Sequence, residues 1–260
     1  MKSKIGSQIW ALALNVWRES SRDRGIAILV VFGVIFILTS HVLGQMAVGG
    51  KIRVIQNMGF WVIGFWGLFT VLYLGSNIIS RELKHHTIYM VLSRPVNRTV
   101  FLLGKFTGML IVLFLIFLLL ITVWLGLLLF EGIDISGMHF IALVFIFGEW
   151  VLLAALSLFF ASFTSPLLHN FFLIGISFLG HWSNDLRLFA ENTKDIWLQY
   201  ILKIIYFILP NLEALNFREI ALYNREISAG LLLQGGTIIL AWSTITFIAT
   251  NIIFARRRLI

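Results

Sequence analysis

The sequence of 260 residues contains no cysteine, three prolines and few charged residues, 12% in all. Without cysteine there is no disulfide bond, no thiol nucleophile and no thiolate metal site. Soluble domains carry about 25% charged residues, and a chain with 12% charged and 59% hydrophobic residues could not cover its own surface with polar groups. The composition therefore excludes a water-soluble globular protein. The scarcity of proline and of polar tracts also excludes a disordered chain.

Long uncharged runs dominate the sequence. A transmembrane helix needs about 20 mostly apolar residues, and five runs exceed that length: 26–50, 54–80, 106–130, 150–184 and 227–255. The fourth run continues backward through Glu149, and it contains the polar break 162–166, which ends in a proline. Because a proline disfavours helical geometry in the residue before it, we divide this stretch into two spans.

The sequence thus predicts an all-α polytopic membrane protein, with one transmembrane domain over residues 1–260 and six spans. These spans are 26–48, 57–80, 103–130, 140–163, 169–182 and 230–255.

Positive charge collects on one side of the predicted spans. The N-terminal segment, the loop after the second span and the C-terminus hold 13 of the 20 Lys and Arg residues and three acidic residues, a net charge of +10. The segments on the other side have a net charge of −1. Since cytoplasmic loops are enriched in Lys and Arg, we expect both termini in the cytoplasm. The overall charge of +8 then reflects membrane topology, and we expect no nucleic-acid partner.

Two segments outside the spans have helical patterns. Residues 4–20 place Ile5, Ile9 and Leu12 on one face and basic or polar residues on the other, which is typical of an interfacial amphipathic helix. The alternative is a cytoplasmic helix packed on a protein partner. The external segment 183–229 contains an apolar run, 196–209, which is too short to span a membrane and predicts an interfacial or re-entrant helix. A seventh span is the alternative, but it would place the C-terminal arginines outside.

Standard catalytic motifs are absent from the sequence. It has no GxxxxGK[ST] phosphate-binding loop, no HExxH and no GxSxG, which argues against an intramembrane hydrolase. Glu149 is the one acidic residue well inside a predicted span. A carboxylate there costs about 2.5–3.5 kcal/mol on insertion scales and faces the protein interior. We expect Glu149 either to contact a substrate or carry a proton, or to be a structural hydrogen-bonding partner.

The loop between the second and third spans, 81–98, is the most specific segment. Ser80 can cap a short helix with Glu82 in its first turn, and Pro95 ends that helix. A basic cytoplasmic helix held between two spans can transmit a movement from a soluble partner into the membrane. The alternative is a solvated connector whose arginines only enforce topology.

This loop resembles the coupling-helix region of type 2 ABC exporter permeases, and most closely the branch typified by the nitrous-oxide-reductase maturation and gliding-motility permeases. The match consists of a glutamate, a threonine five residues later, a Leu-Ser-x-Pro-x-x-Arg pattern and a Gly-Lys pair. The matching residues are Glu82, Thr87, Leu92, Ser93, Pro95, Arg98, Gly104 and Lys105. The amphipathic N-terminal helix, the six spans and the external insertion before the last span also agree with this family.

The resemblance implies the permease subunit of an ATP-driven exporter in the bacterial cytoplasmic (inner) membrane. Such a subunit forms a homodimer or pairs with a paralogous permease, and it binds two copies of a separate ABC ATPase. ATP and Mg²⁺ would bind that ATPase, with no cofactor or metal in this chain. The residues expected to couple the two proteins are Glu82, Thr87, Tyr89, Leu92, Arg94, Pro95, Arg98 and Lys105.

Two other functions remain open from the residues alone. A stand-alone carrier driven by an ion gradient usually shows internal repeats and several polar groups at mid-depth, whereas this sequence shows one carboxylate and no repeat. An intramembrane lipid-modifying enzyme could use Glu149, His41 or His181 as an acid or a base. These three residues lie on different predicted spans with no recognisable spacing.

Overall fold

The computed structural model describes residues 2–78 and 97–256, which form helices joined by short turns and contain no strand. The helices are α1 (Lys2–Ser21), α2 (Arg24–Met46), α3 (Lys51–Ile78), α4 (Arg98–Phe130), α5 (Gly137–Ala161), α6 (Pro166–His181), α7 (Ser183–Asn192), α8 (Ile196–Ile208), α9 (Arg218–Leu222) and α10 (Ala229–Arg256). A 3₁₀ turn over Glu213–Leu215 lies between α8 and α9. The predicted all-α fold is confirmed.

Five of these helices are long and apolar enough to cross a membrane: α2, α3, α4, α5 and α10. A sixth crossing has two candidates among the described residues. The helix α6 is apolar and 16 residues long, and it contains all but the last residue of the predicted fifth span, 169–182. Alternatively, α8 and the segment Glu213–Leu222 form a pair bent by 45°. With five to six apolar crossing helices, the polytopic membrane architecture is confirmed.

The helices α3, α4 and α5 form the centre of the bundle. The helix α2 packs on α3 and α4, α10 packs on α5 and α4, and α6 packs on α5 and α3. Trp124 of α4 and Trp150 of α5 are fully buried. These two indoles fill the space beside α3, where the helix has glycine instead of a larger side chain.

Glycines allow α3 to approach its neighbours closely. Gly59, Gly67 and Gly75 recur every eight residues, which turns each about 80° around the helix from the one before, so that they face different neighbours. A Cβ atom at Gly59 would overlap the indole of Trp124, and one at Gly67 would overlap the indole of Trp150. Small residues at helix contacts are typical of membrane proteins, in which packing replaces the hydrophobic effect as the driving force.

The N-terminal helix α1 packs against the first half of α4. Gly104 contacts Leu12, and Gly108 contacts Ala13 and Val16. One side of α1 is therefore buried, whereas Trp10 on its other side is 55% exposed. An interfacial position of α1 in the lipid headgroup region stays a prediction, and the exposed indole is consistent with it.

Polar contacts gather the termini of four helices at one end of the bundle. Asp23 accepts hydrogen bonds from the backbone N–H of Gly25 and, at 2.6 Å, from the hydroxyl of Tyr73, so the start of α2 meets the last turns of α3. The guanidinium of Arg98 donates to the carbonyl oxygen of Phe254, so the start of α4 meets the end of α10. The two helices that flank residues 79–96 are thereby tied to other helices, α3 to α2 and α4 to α10.

Candidate functional site

A cavity of about 490 Å³ lies between α3 and α6. Its apolar walls contain Trp61, Phe65 and Phe69 from α3, and Phe178 from α6 with the adjacent Trp182. Three ionisable side chains also line it: Glu149 from α5, His181 from α6 and Arg218 from α9. The cavity thus combines aromatic walls with one small polar region, which is the usual composition of a ligand pocket.

Glu149 and His181 contact each other in this cavity. The Oε1 atom of Glu149 lies 3.3 Å from Nε2 of His181, and the residue Glu149 is only 5% exposed. The other ring nitrogen of His181, Nδ1, lies 2.9 Å from the backbone carbonyl oxygen of Ser177. A carbonyl oxygen can only accept, so Nδ1 carries a proton. The contact with Glu149 then needs a second proton, held either by Nε2 or by the carboxyl group.

Local structure fixes the position of His181 in this contact. The helix α6 begins with Pro166 in its first turn, where proline is favoured. His181 falls in its last turn, where the helix dipole favours a cation. The backbone N–H of Leu212 donates to the carbonyl oxygen of Gly180 at 3.0 Å, which holds the chain after α8 against this end of α6.

Arg218 enters the cavity from the short helix α9. The preceding residue, Phe217, is buried, and its ring centroid lies 4.3 Å from that of Phe145 on α5. The Arg218 guanidinium crosses α3 at Gly64, where any Cβ atom would overlap its Nη2 atom. Its Nε atom is buried without a hydrogen-bonding partner. Arg218 forms no ion pair with any other described residue.

Most of the predicted coupling residues lie outside the described residues. This group contains Glu82, Thr87, Tyr89, Leu92, Arg94 and Pro95. Arg98 is described, and it donates at 2.7 Å to the carbonyl oxygen of Ala255 in α10. Lys105 is also described and is 2% exposed, with its ammonium group 5.8 Å from the ring centroid of Phe101. Lys105 is therefore buried within α4, and coupling by this residue stays a prediction.

A second polar cluster lies at the opposite end of α4 from Arg98. The carboxylate of Glu131, just after this helix, contacts Nδ1 of His41 and lies 2.6 Å from the ammonium group of Lys51. The hydrogen bond from Lys51 lowers the pKa of Glu131 against the opposing effect of burial, and His41 lowers it further. The structure therefore separates His41 from the pair formed by Glu149 and His181.

Two further buried contacts link the central helices. The hydroxyl oxygen of Ser157 in α5 lies 2.9 Å from Nε2 of His169 in α6. The side-chain amide nitrogen of Gln56 in α3 lies 3.1 Å from Nε2 of His139 in α5. These polar contacts satisfy groups that would otherwise be costly in an apolar bundle. Within the described part of the chain, no group of His, Asp and Glu residues could hold a metal ion.

Sequence reasoning missed Arg218 and the contact between Glu149 and His181. Arg218 is followed by Glu219 in a short polar stretch of the predicted external segment, which reads as ordinary surface. The pairing of Glu149 with His181 could have been suspected from the sequence, because ionisable groups inside membrane spans usually pair with one another. Their pairing requires knowing that α5 and α6 are in contact at that depth.

A family model described as "ABC-2 family transporter protein" matches residues 10–257. A comparison with curated proteins finds no match.

Proposed function

The chain belongs to the ABC-2 transporter family, and we propose that it is the permease subunit of an ATP-driven exporter, coupled to a separate ABC ATPase through residues 81–98. The match over residues 10–257 carries this proposal, because it extends over nearly the whole chain. Family membership supports a role as the transport component, and it favours that role over the stand-alone carrier or the lipid-modifying enzyme considered above.

The proposal assigns ATP hydrolysis to the partner. The sequence has no phosphate-binding loop of the GxxxxGK[ST] type, so ATP and Mg²⁺ would bind the ATPase subunit. By analogy with the branch that the loop resembles, the complex contains two permease chains, identical or paralogous, and two ATPase copies. We place it in the bacterial inner membrane with both termini in the cytoplasm, in accordance with the excess of Lys and Arg in those segments.

The contacts around residues 79–96 support coupling through this segment. The last turns of α3 are bound to α2 through Tyr73 and Asp23. The first turn of α4 is bound to α10 through Arg98, and α4 is also packed against α1. A displacement of the segment would therefore act on five helices together, as a mechanical link between an ATPase and the spans requires.

Purification from the native membrane tests the proposal. The tagged chain, extracted in a mild detergent, is expected to bring down a protein with ATP-binding motifs and measurable ATPase activity, in a complex whose mass fits two copies of each subunit. A monodisperse permease without an ATPase would contradict the proposal.

Substitutions then test the coupling segment itself. We expect Glu82→Ala and Arg94→Ala to leave the complex assembled but to reduce its ATPase rate. Arg187→Ala is the matched control, since that side chain is 61% exposed on α7 and outside the coupling segment. ATPase rates equal to the parent in both test variants would place the coupling elsewhere.

A further inference from the structure

The charges in the cavity between α3 and α6 do not cancel. The Nδ1 atom of His181 is protonated because it faces the Ser177 carbonyl oxygen. The second proton then gives either an imidazolium with a carboxylate or a neutral imidazole with a carboxylic acid. Both arrangements have zero net charge. Among the described residues of the lining, Arg218 is the remaining ionisable one, and its positive charge is therefore uncompensated there.

The adjacent acidic residue does not supply the missing charge. Glu219, which follows Arg218, is exposed and is not part of the cavity lining. The side chains at the end of α9 add positive charge instead. The guanidinium groups of Arg53 and Arg225 both lie over the ring of Tyr223, at 5.5 Å and 5.2 Å from its centroid. An arginine stays protonated at all physiological pH values, and a charge in an apolar setting is costly unless it is paired.

The walls of the cavity fit an apolar body. Phe65, Phe69 and Phe178 line it and are each 38–55% exposed in the single chain. The cavity is therefore open along its side, between two helices of the bundle. A volume of about 490 Å³ lies within the range of pockets for small ligands.

We propose that this cleft binds an amphiphile with one anionic headgroup, a carboxylate or a phosphate. The headgroup pairs with the guanidinium of Arg218, which is suited to planar, two-pronged recognition of either anion. The apolar body lies against the aromatic walls. The identification of the ligand as the exported substrate rests on the proposed function. Binding of the amphiphile itself requires only the permease chain.

Quenching of tryptophan fluorescence by brominated amphiphiles provides the test, because Trp61 and Trp182 line the cavity. The purified chain in phosphatidylcholine nanodiscs is titrated with 9,10-dibromostearate and, separately, with its uncharged methyl ester. We expect saturable quenching by the anion alone, above the linear background from tryptophans that contact lipid. Replacing both Trp61 and Trp182 with Phe should remove the saturable component.

Two substitutions address Arg218 independently. Arg218→Gln removes the charge, and Gly64→Ala places a Cβ atom where the Nη2 atom of Arg218 now lies, so that the flexible side chain must leave the cleft. Both are expected to weaken dibromostearate binding by about tenfold or more, the usual range for a charge-assisted hydrogen bond. Arg187→Gln and Gly126→Ala are the controls, because Arg187 is outside the cavity and a Cβ atom at Gly126 meets no atom within 4 Å.

The outcomes separate the inference from the proposed function. Equal quenching by the methyl ester, or unchanged affinity in both Arg218→Gln and Gly64→Ala, would overturn the site, even if an ATPase copurifies. Saturable binding without a copurifying ATPase would keep the site and reject the exporter. A further titration with brominated phosphatidylglycerol identifies the source: Arg218-dependent quenching by this lipid indicates a bilayer headgroup, and quenching by the single-chain anion alone indicates a cargo.

Discussion

Arg98 donates a hydrogen bond of 2.7 Å to the carbonyl oxygen of Ala255, which joins the first residue of α4 to the last turn of α10. The same guanidinium nitrogen also donates to the preceding carbonyl oxygen, that of Phe254. Carbonyl groups at a helix C-terminus have no partner in the helix and carry partial negative charge, so a cation there is stabilising. The contact fixes the start of α4 at the end of the proposed coupling segment.

Replacing Arg98 should therefore loosen this end of the bundle. Arg98→Ala removes both hydrogen bonds, and we expect a loss of about 1.5–3 kcal/mol, the range for hydrogen bonds to charged groups. The melting temperature of the detergent-purified chain measures the effect. Arg98→Lys should retain part of the stability because the charge remains at the helix end. An unchanged melting temperature in Arg98→Ala would show that the contact contributes nothing to stability.

Replacing Glu149 should reduce transport while leaving the fold intact. Glu149→Gln keeps a group that can hydrogen-bond to His181, but it removes the carboxyl group that balances the charge of the pair. We expect the transport rate of the reconstituted complex to fall, because an ionisable residue inside a membrane-spanning segment marks a functional site by default. Glu191→Gln, on the exposed face of α7, is the control. A parental rate in Glu149→Gln would assign Glu149 a structural role only.

Acid should destabilise the protein through Glu131. Its pKa is lowered from 4.5 by the hydrogen bond from Lys51 and by His41, so folding favours the ionised form. The stabilisation is complete above pH 4.5, the ordinary value, and is lost as the pH falls through the lowered value in the folded protein. Melting temperatures measured from about pH 3 to pH 6 should show this slope. Glu131→Gln should flatten it, and an equal slope in that variant would assign the acid sensitivity to another group.

A methyl group at Gly59 should disrupt the packing of α3 on α4. The Cβ atom of Gly59→Ala would overlap the indole of Trp124, which is fully buried and has no room to move. Overpacking of this kind costs about 1–3 kcal/mol. The melting temperature should fall in Gly59→Ala and stay unchanged in Gly236→Ala, a position in α10 where a Cβ atom meets nothing within 4 Å. Equal stability of the two variants would contradict the described packing.

The long apolar runs made the fold class predictable. A stretch such as 106–130 can form only a buried or membrane-spanning helix, since its backbone groups must be satisfied internally in lipid. The same reasoning identified the short apolar run before Pro210, where the structure has α8. The positions of these helices relative to the membrane surface stay predictions, because they depend on the surrounding lipid as well as on the chain.

The site was less accessible to sequence reasoning because it depends on tertiary contacts. Glu149 lies 12 residues before the end of α5, and His181 lies 15 residues after the start of α6. Two antiparallel helices therefore bring them to a similar depth, but only the packing of α5 on α6 turns this into a contact of 3.3 Å. Arg218 reaches the cavity only because residue 64 is glycine, and that relationship spans more than 150 residues of sequence.

The length of α6 has a consequence for the bilayer around the protein. Its 16 residues extend over about 24 Å at 1.5 Å per residue, whereas the hydrocarbon core is about 30 Å thick. With α6 as the fifth crossing, the surrounding lipid must thin by several ångströms on that side to avoid exposing polar groups to hydrocarbon. The wall formed by α6 would then adjoin a locally compressed leaflet. Lipid headgroups there would lie nearer to Arg218 than an undistorted membrane allows.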